Sequence, residues 1–258
     1  MELIVRVLAC LAEGLGIRAT ARVFEVDPTT VLHWLVEAAE QLRAFSAYFF
    51  CDLHLEQLQL DEVYAVLRDR KAGEINDDEA IARLERTPSW VWTALDPTSK
   101  LLVVVDIGSR TLAMAQRVVH QVVQGLAPGC VPLFLTDGFK AYTTALLTHF
   151  GQWVQPARRQ TAGPTPKPRW MPLPELLYAQ VVKSYRRRRL VGVTHRVVFG
   201  TRLAIAQVLA TCGWTINTAF VERMNLDIRQ RVAAVGRRVN TLCQGEMGLR
   251  DQLVRFQV

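Results

Sequence analysis

Four carboxylates in this sequence stand where carboxylates do chemistry. Asp61 lies in LDEVYAVL, Asp106 late in KLLVVVDIG, Asp137 at the end of VPLFLTDG, and Glu222 in AFVERMNLDIRQRV. A charge inside a buried strand is costly unless it is paired or bound to a metal. Neighbouring residues on a strand point to opposite faces, so Asp61 and Glu62 are not expected to share one site. Asp137, followed by Gly138, ends a short apolar strand, the position at which open α/β sheets place their ligands. Asp106 is the competing acid. Glu222 falls on a helix whose apolar stripe is Val221, Met224, Ile228 and Val232, with Glu222, Asn225 and Arg229 on an adjacent polar face. A solvated helix face would carry the same residues, so this helix alone does not choose.

Three carboxylates from two strand ends and a helix suit one chemistry well. Two magnesium ions about 3.5–4 Å apart activate a water or a 3′-hydroxyl and stabilise the leaving oxygen in phosphodiester transfer. Magnesium takes hard oxygen ligands and keeps part of its water shell, so a few carboxylates suffice. No His/Cys metal cluster, Walker loop, GxSxG or GxGxxG is present to support a rival enzyme class.

The elements that must position these acids fall into three regions. Residues 1–50 read as helical throughout. In EVDPTTVLHWLVEAAEQL, Asp27 is suited to the N-cap and Pro28 to the first helical position. Val31, Leu35, Ala38 and Leu42 form the expected buried stripe beside Trp34, leaving Thr29, Thr30, His33 and Glu37 outward. Two short helices and a tight turn fit a helix-turn-helix, in which Thr29, Thr30 and His33 would read the major groove. An ordinary helical hairpin fits the same pattern.

The second region, about 55–150, changes period. LEQLQLDEVYAVL, WVWTAL and KLLVVVDIG read as strands, the last two joined by the turn DPTS. A charged helical excursion, DRKAGEINDDEAIARLERTPS, separates the first from the second. TLAMAQRVVHQVVQGLAPG is helical, VPLFLTDG a short buried strand, and FKAYTTALLTHFG helical again. This order predicts an α/β fold with a mixed sheet. In the third region RRQTAGPTPKPRWMPLP reads as an extended Pro-rich connector. LLYAQVVKSYRRRRLVGVTHRVVFG reads as strands or a hairpin around four arginines, and helices follow from about 202.

Composition is globular, with half of the 258 residues apolar. The 31 basic and 24 acidic residues give a net charge of +7, which favours a phosphate-bearing partner. No apolar run is long enough to span a membrane, and the first residues resemble a helix more than a signal peptide. Five scattered cysteines without a CxxC pair read as reduced core residues of a cytoplasmic protein.

Together, LTDGFKAY and FVERMNLDIRQRVAAVGRR, with LDEVYAVL and RVFEVDPTTVLHWL, resemble insertion-sequence-one type transposases. That family belongs to the group with an RNase H-like fold and a DDE triad. The resemblance implies a helix-turn-helix domain at 1–50 and an RNase H-like catalytic domain at 55–258, with a Pro/Arg-rich insert at about 151–200. It implies Asp61, Asp137 and Glu222 as catalytic, metal-binding acids, demotes Asp106, and places Asn225 and Arg229 on the site's rim. The implied activity is cutting and joining transposon ends with two Mg2+ or Mn2+ ions, on double-stranded DNA, by a homo-oligomer at the bacterial nucleoid. DNA would be held by Lys140, Arg186, Arg187, Arg188, Arg189, Arg223, Arg229, Arg231, Arg237 and Arg238, besides the groove readers. The zinc ribbon that many relatives carry ahead of the helix-turn-helix is missing. Two other readings remain: a decayed, non-catalytic DNA-binding regulator, and an RNase H-like nuclease or resolvase.

Overall fold

The computed structural model describes residues 2–65, 89–157, 166–187, 189–232, 235 and 245–257. The charged excursion, part of the Pro-rich stretch, Arg188, Arg237 and Arg238 lie outside the described residues. Three helices come first: α1 (Glu2–Ala12), α2 (Ile17–Val23) and α3 (Pro28–Phe49). Asp27 caps α3 as expected, its side chain accepting from the Thr29 N–H at 2.7 Å, with Pro28 opening the helix. Val7, Leu11, Ala21, Val31 and Leu35 make a small core of their own. The buried stripe of α3 is Val31, Leu35 and Ala39, so Ala39 replaces the expected Ala38 by following i, i+4, i+8.

The central sheet is mixed. Strands β1 (Gln57–Ala65), β2 (Ser89–Leu95) and β3 (Leu102–Gly108) are antiparallel neighbours. After α4 (Leu112–Gly125), β4 (Leu133–Asp137) lies parallel to β1. Then follow α5 (Ala141–His149) and a small two-stranded sheet of β5 (Gly151–Val154) and β6 (Arg169–Pro172). β7 (Tyr178–Arg186) is parallel to β4 and forms a hairpin with β8 (Arg189–Phe199), giving the order β3-β2-β1-β4-β7-β8. α6 (Arg202–Ala210), α7 (Ala219–Arg231) and α8 (Gly245–Gln257) complete the described helices.

Strand alternation decides what each face buries. Leu58, Leu60, Trp92, Phe134 and Tyr178 pack with α4 and α5 residues on one face. On the other face, Val63, Val91 and Ile107 meet Ile228 and Val232 of α7 and Leu249 and Leu253 of α8, while Leu135 and Ala179 meet Ile205 and Leu209 of α6. Among the described residues, no helix is long and apolar enough to cross a membrane.

Three expectations need correction. The segment 151–200 is no simple insert, because its apolar run YAQVV forms β7 within the central sheet. The Pro-rich connector is not wholly irregular: its RWMP stretch forms β6, which pairs with β5 just ahead of the connector, and Trp170 meets Trp153 edge-on at 6.0 Å. Cysteines are not uniformly core residues: Cys51 is exposed, and Cys10, Cys130 and Cys212 are half-buried.

Asp106 is a structural hub, fully buried on β3. Its carboxylate accepts from Arg117 of α4 at 2.8 Å, Gln121 at 2.9 Å and Arg250 of α8 at 2.5 Å. It therefore ties helices on opposite faces to one edge strand, and losing the buried carboxylate would remove the common acceptor of Arg117 and Arg250, which are themselves part-exposed. Asp106→Ala is expected to lower unfolding stability by about 1.5–3 kcal/mol, the loss of charge-assisted hydrogen bonds, measured by urea denaturation. A change below about 1 kcal/mol would mean the pairs are dispensable.

Candidate active site

Register puts the strand acids together. Gln59 pairs with Leu135, and Leu135 with Ala179, so these residues share a row and a face. Two residues on, the same alternation brings Asp61, Asp137 and Val181 onto one face at the carboxyl end of β4. Helix α7 covers that face and is anchored by buried Gln59. The Gln59 amide donates to the Asn217 carbonyl at 3.1 Å, and its oxygen accepts from the Val221 N–H at 3.1 Å. With Val221 buried, Glu222 in the first turn of α7 faces the acids. Asp61, Asp137 and Glu222 line one cleft of about 660 Å³ with Arg110, Phe139, Lys140, Lys183 and Tyr185.

The closest acids are Asp61 and Asp137 of the cleft and Glu62 buried beside it, whose ligand oxygens lie within 4.8 Å of one another. Glu62 thus corrects the expectation that it serves a different site from Asp61. The two side chains do leave β1 on opposite faces: Asp61 accepts from Asn225 Nδ2 of α7 at 2.9 Å, whereas Glu62 lies beside buried Tyr142 of α5. β4 stops at Asp137, so no backbone separates the faces there and the carboxylates meet around the strand end. Glu222 is outside that tight group. Its Oε1 accepts from Lys183 Nζ of β7 and from the Thr218 hydroxyl at 2.5 Å.

Crowding shows in the acidities. Burial, with repulsion from Asp137 and Glu222, pushes Asp61 up to about 6, despite opposing hydrogen bonds from the Glu62 backbone and Asn225. Burial and Asp137 push Glu62 up to about 8, against the pull of Arg110. Glu62 Oε1 is buried, and its neighbour is the equally buried Tyr142 hydroxyl, with which it makes no well-aligned hydrogen bond. Arg110, in the loop before α4, donates to Glu62 Oε2 and to Asp137 Oδ2, both at 3.3 Å. Its guanidinium also lies over Phe139 at 4.3 Å and Trp90 at 5.2 Å.

Other expected residues divide clearly. Asn225 is not on the rim: it is buried, contacts Asp61, and accepts from the Thr93 hydroxyl at 3.0 Å. Arg229 is half-buried on α7. Lys140 lines the cleft, and Arg186, Arg187 and Arg189 are exposed at the turn of the β7–β8 hairpin. Arg223 is exposed and reaches Asp227 at 3.7 Å, while Arg231 borders a separate cavity with Phe49, Lys100 and Arg255. Thr29 and His33 are exposed on α3, Thr30 is half-buried, and His33 Nε2 lies 3.2 Å from Glu37. Asp106 contributes nothing to the cleft. The sequence reading missed Gln59, Glu62, Arg110, Thr218 and Lys183. For Glu62 the adjacent DE pair was a visible signal, but strand alternation argued it away.

No protein-family profile matches this chain, and no curated protein matches its sequence.

The raised pKa values carry a sign. A carboxyl with a folded pKa above its unfolded value binds protons more tightly when folded, so stability falls as pH rises between the two values. For Asp61 that window runs from 3.8 to about 6. Asp61→Asn should therefore stabilise the metal-free protein at pH 8, on the order of 1–3 kcal/mol, with little gain at pH 4. Thermal melts at both pH values test this, and equal destabilisation at both would contradict it.

Proposed function

We propose that this chain is a DNA transposase of an insertion sequence, with an RNase H-like catalytic fold behind an N-terminal helix-turn-helix. The observation that carries this reading is the arrival of Asp61, Asp137 and Glu222 in one cleft, from two strands and a helix distant in sequence. The mixed six-stranded sheet with helices on both faces supports the fold assignment. The capped start of α3, which presents Thr29 and His33 outward, supports a DNA-reading role for α2–α3.

The donor set fits magnesium or manganese. It is all hard oxygen, and burial together with mutual repulsion raises the pKa of Asp61. Asp61 and Asp137, with Glu222 and Glu62 at either side, would hold two ions. Bound there, the ions supply activation of a water or 3′-hydroxyl and stabilisation of the leaving oxygen. The chain's own residues do the rest. Asn225 fixes the Asp61 carboxylate, with Thr93 orienting the Asn225 amide behind it. Phe139 N–H holds Asp137 Oδ1 at 2.8 Å. Lys140 offers a phosphate contact beside the acids, and the exposed arginines of the β7–β8 turn offer others farther along the strand. A homo-oligomer acting on two double-stranded ends at the bacterial nucleoid belongs to the same proposal.

One observation favours a second reading, a non-catalytic DNA-binding derivative: Lys183 and Arg110 already occupy oxygens of Glu222, Glu62 and Asp137. Asp137→Asn separates the two. Under the enzyme reading it lowers Mg2+-dependent cleavage of duplexes from the element's ends by more than about 100-fold, beyond the 10–100-fold typical when only a ligand's supporting neighbour is lost. Duplex binding stays within about twofold. Cleavage that survives removes Asp137 from the chemistry, and cleavage without joining to target DNA identifies a nuclease.

Salt gives an independent check. The logarithm of the binding constant should fall with log salt by about 0.9 for each phosphate neutralised, measured by fluorescence anisotropy. A flat dependence contradicts phosphate binding.

A further inference from the structure

The acid cleft contains its own cations, and two of the carboxylates they pair with, Glu222 and Asp137, are far more exposed than Asp106. Asp106 is sealed: its side chain is 2% exposed and its oxygens are taken by Arg117, Gln121 and Arg250. The Lys183–Glu222 and Arg110–Asp137 pairs are open on both sides, whereas Glu62, the other carboxylate of Arg110, is 1% exposed. Lys183 and Glu222 are 31% and 40% exposed, and Arg110 and Asp137 are 35% and 38% exposed. The two open pairs add little to stability, so holding the fold together does not account for them.

Each cation is also placed to leave its carboxylate. Lys183 sits on β7 beyond the point where β4 ends, on the stretch that continues through Tyr185 to Arg186 and Arg187 at the hairpin turn. It is the innermost of a line of cations running out of the cleft, on a flexible stem with rotatable donors. Arg110 is held flat by Phe139 and Trp90, so its position does not depend on the acids. Its two carboxylate contacts, both from one nitrogen at 3.3 Å, are long for charge-assisted hydrogen bonds. A planar fork in that setting suits a phosphate.

We propose that Lys183 and Arg110 are exchangeable counter-ions: they neutralise the carboxylates of the free cleft and transfer to DNA phosphates when divalent ions take those oxygens. This rests on the metal-dependent reading above and adds a coupling to it. A divalent ion and an ammonium cannot both be favoured on one Glu222 oxygen, because like charges at that distance repel. An arriving phosphate backbone offers the displaced cations a new partner. Divalent ions and DNA therefore bind with positive cooperativity through these two side chains, and the affinity gain is reciprocal. The ion pairs that favour a non-catalytic protein become its resting state.

Opposite signs in two binding measurements test this. Calorimetric titration of DNA-free Lys183→Met with Mn2+ should show affinity raised about fivefold or more over the parent, because a competing cation is gone. In the same variant, the tightening of duplex binding caused by Mn2+ should shrink by a similar factor, with Lys183→Arg restoring most of it. Arg110→Met provides a second variant with the same expected signs, and circular dichroism checks the fold of each. Mn2+ affinity that is unchanged or lower in both folded variants overturns the exchange while leaving the metal site standing. Failure of the parent and both variants to bind Mn2+ overturns the metal-dependent reading itself, and this inference with it.

Discussion

Carboxylates brought together without enough opposite charge repel, and this cleft is built around that repulsion. Asp61, Glu62 and Asp137 meet where β4 ends, two of them with pKa values pushed well above the usual carboxylate range by burial and by one another. No folding advantage compensates such crowding. The fold tolerates it because cations and hydrogen-bond donors arrive from elements far apart: Arg110 from the loop before α4, Lys183 from β7, and Asn225 from α7. Stored repulsion of this type is what a divalent cation relieves, and sites with perturbed acidities cluster where chemistry is done.

The rest of the architecture serves that meeting point. Parallel pairing of β1, β4 and β7 sets the row that aligns Asp61 with Asp137 and carries Lys183 past the end of β4. Gln59 pins the start of α7, so Glu222 enters the cleft while Ile228 and Val232 pack below it. The far end of α7 is approached by the α1–α2 turn at Gly14. There φ is +90°, and a side-chain carbon would come within 2.9 Å of the Gln230 carbonyl, so glycine is required twice over. Arg43 of α3 also pairs with buried Asp251 of α8. The N-terminal helices are thus packed against the same elements that present the acids.

What the sequence disclosed follows from which signals are local. Apolar runs bounded by turns marked β2, β3, β4, α4 and α5, because burial pattern and capping are read within a few residues. Asp61 and Asp137 were visible as charges in such runs, and Glu222 as a polar member of an amphipathic helix. Roles that depend on register were not visible. Gln59 and Lys183 acquire theirs only when β1, β4 and β7 are aligned, and Arg110 only when its loop folds over Asp137. Glu62 was dismissed by an alternation rule that holds inside a sheet and fails beside a strand end. β7 was taken for part of an insert because prolines and arginines flank its short apolar run on both sides. The family resemblance supplied roles for the acids but not these partners.

The central claim is that the acids at the end of β4 form a divalent-metal site for DNA strand chemistry. The most direct measurement is an anomalous difference map from crystals of the protein grown with Mn2+ and a short duplex. The account predicts anomalous density between Asp61 and Asp137, extending toward Glu222, with a backbone phosphate beside it. Manganese bound only at other acids, with the Asp61–Asp137 gap empty and Lys183 still on Glu222, would contradict it.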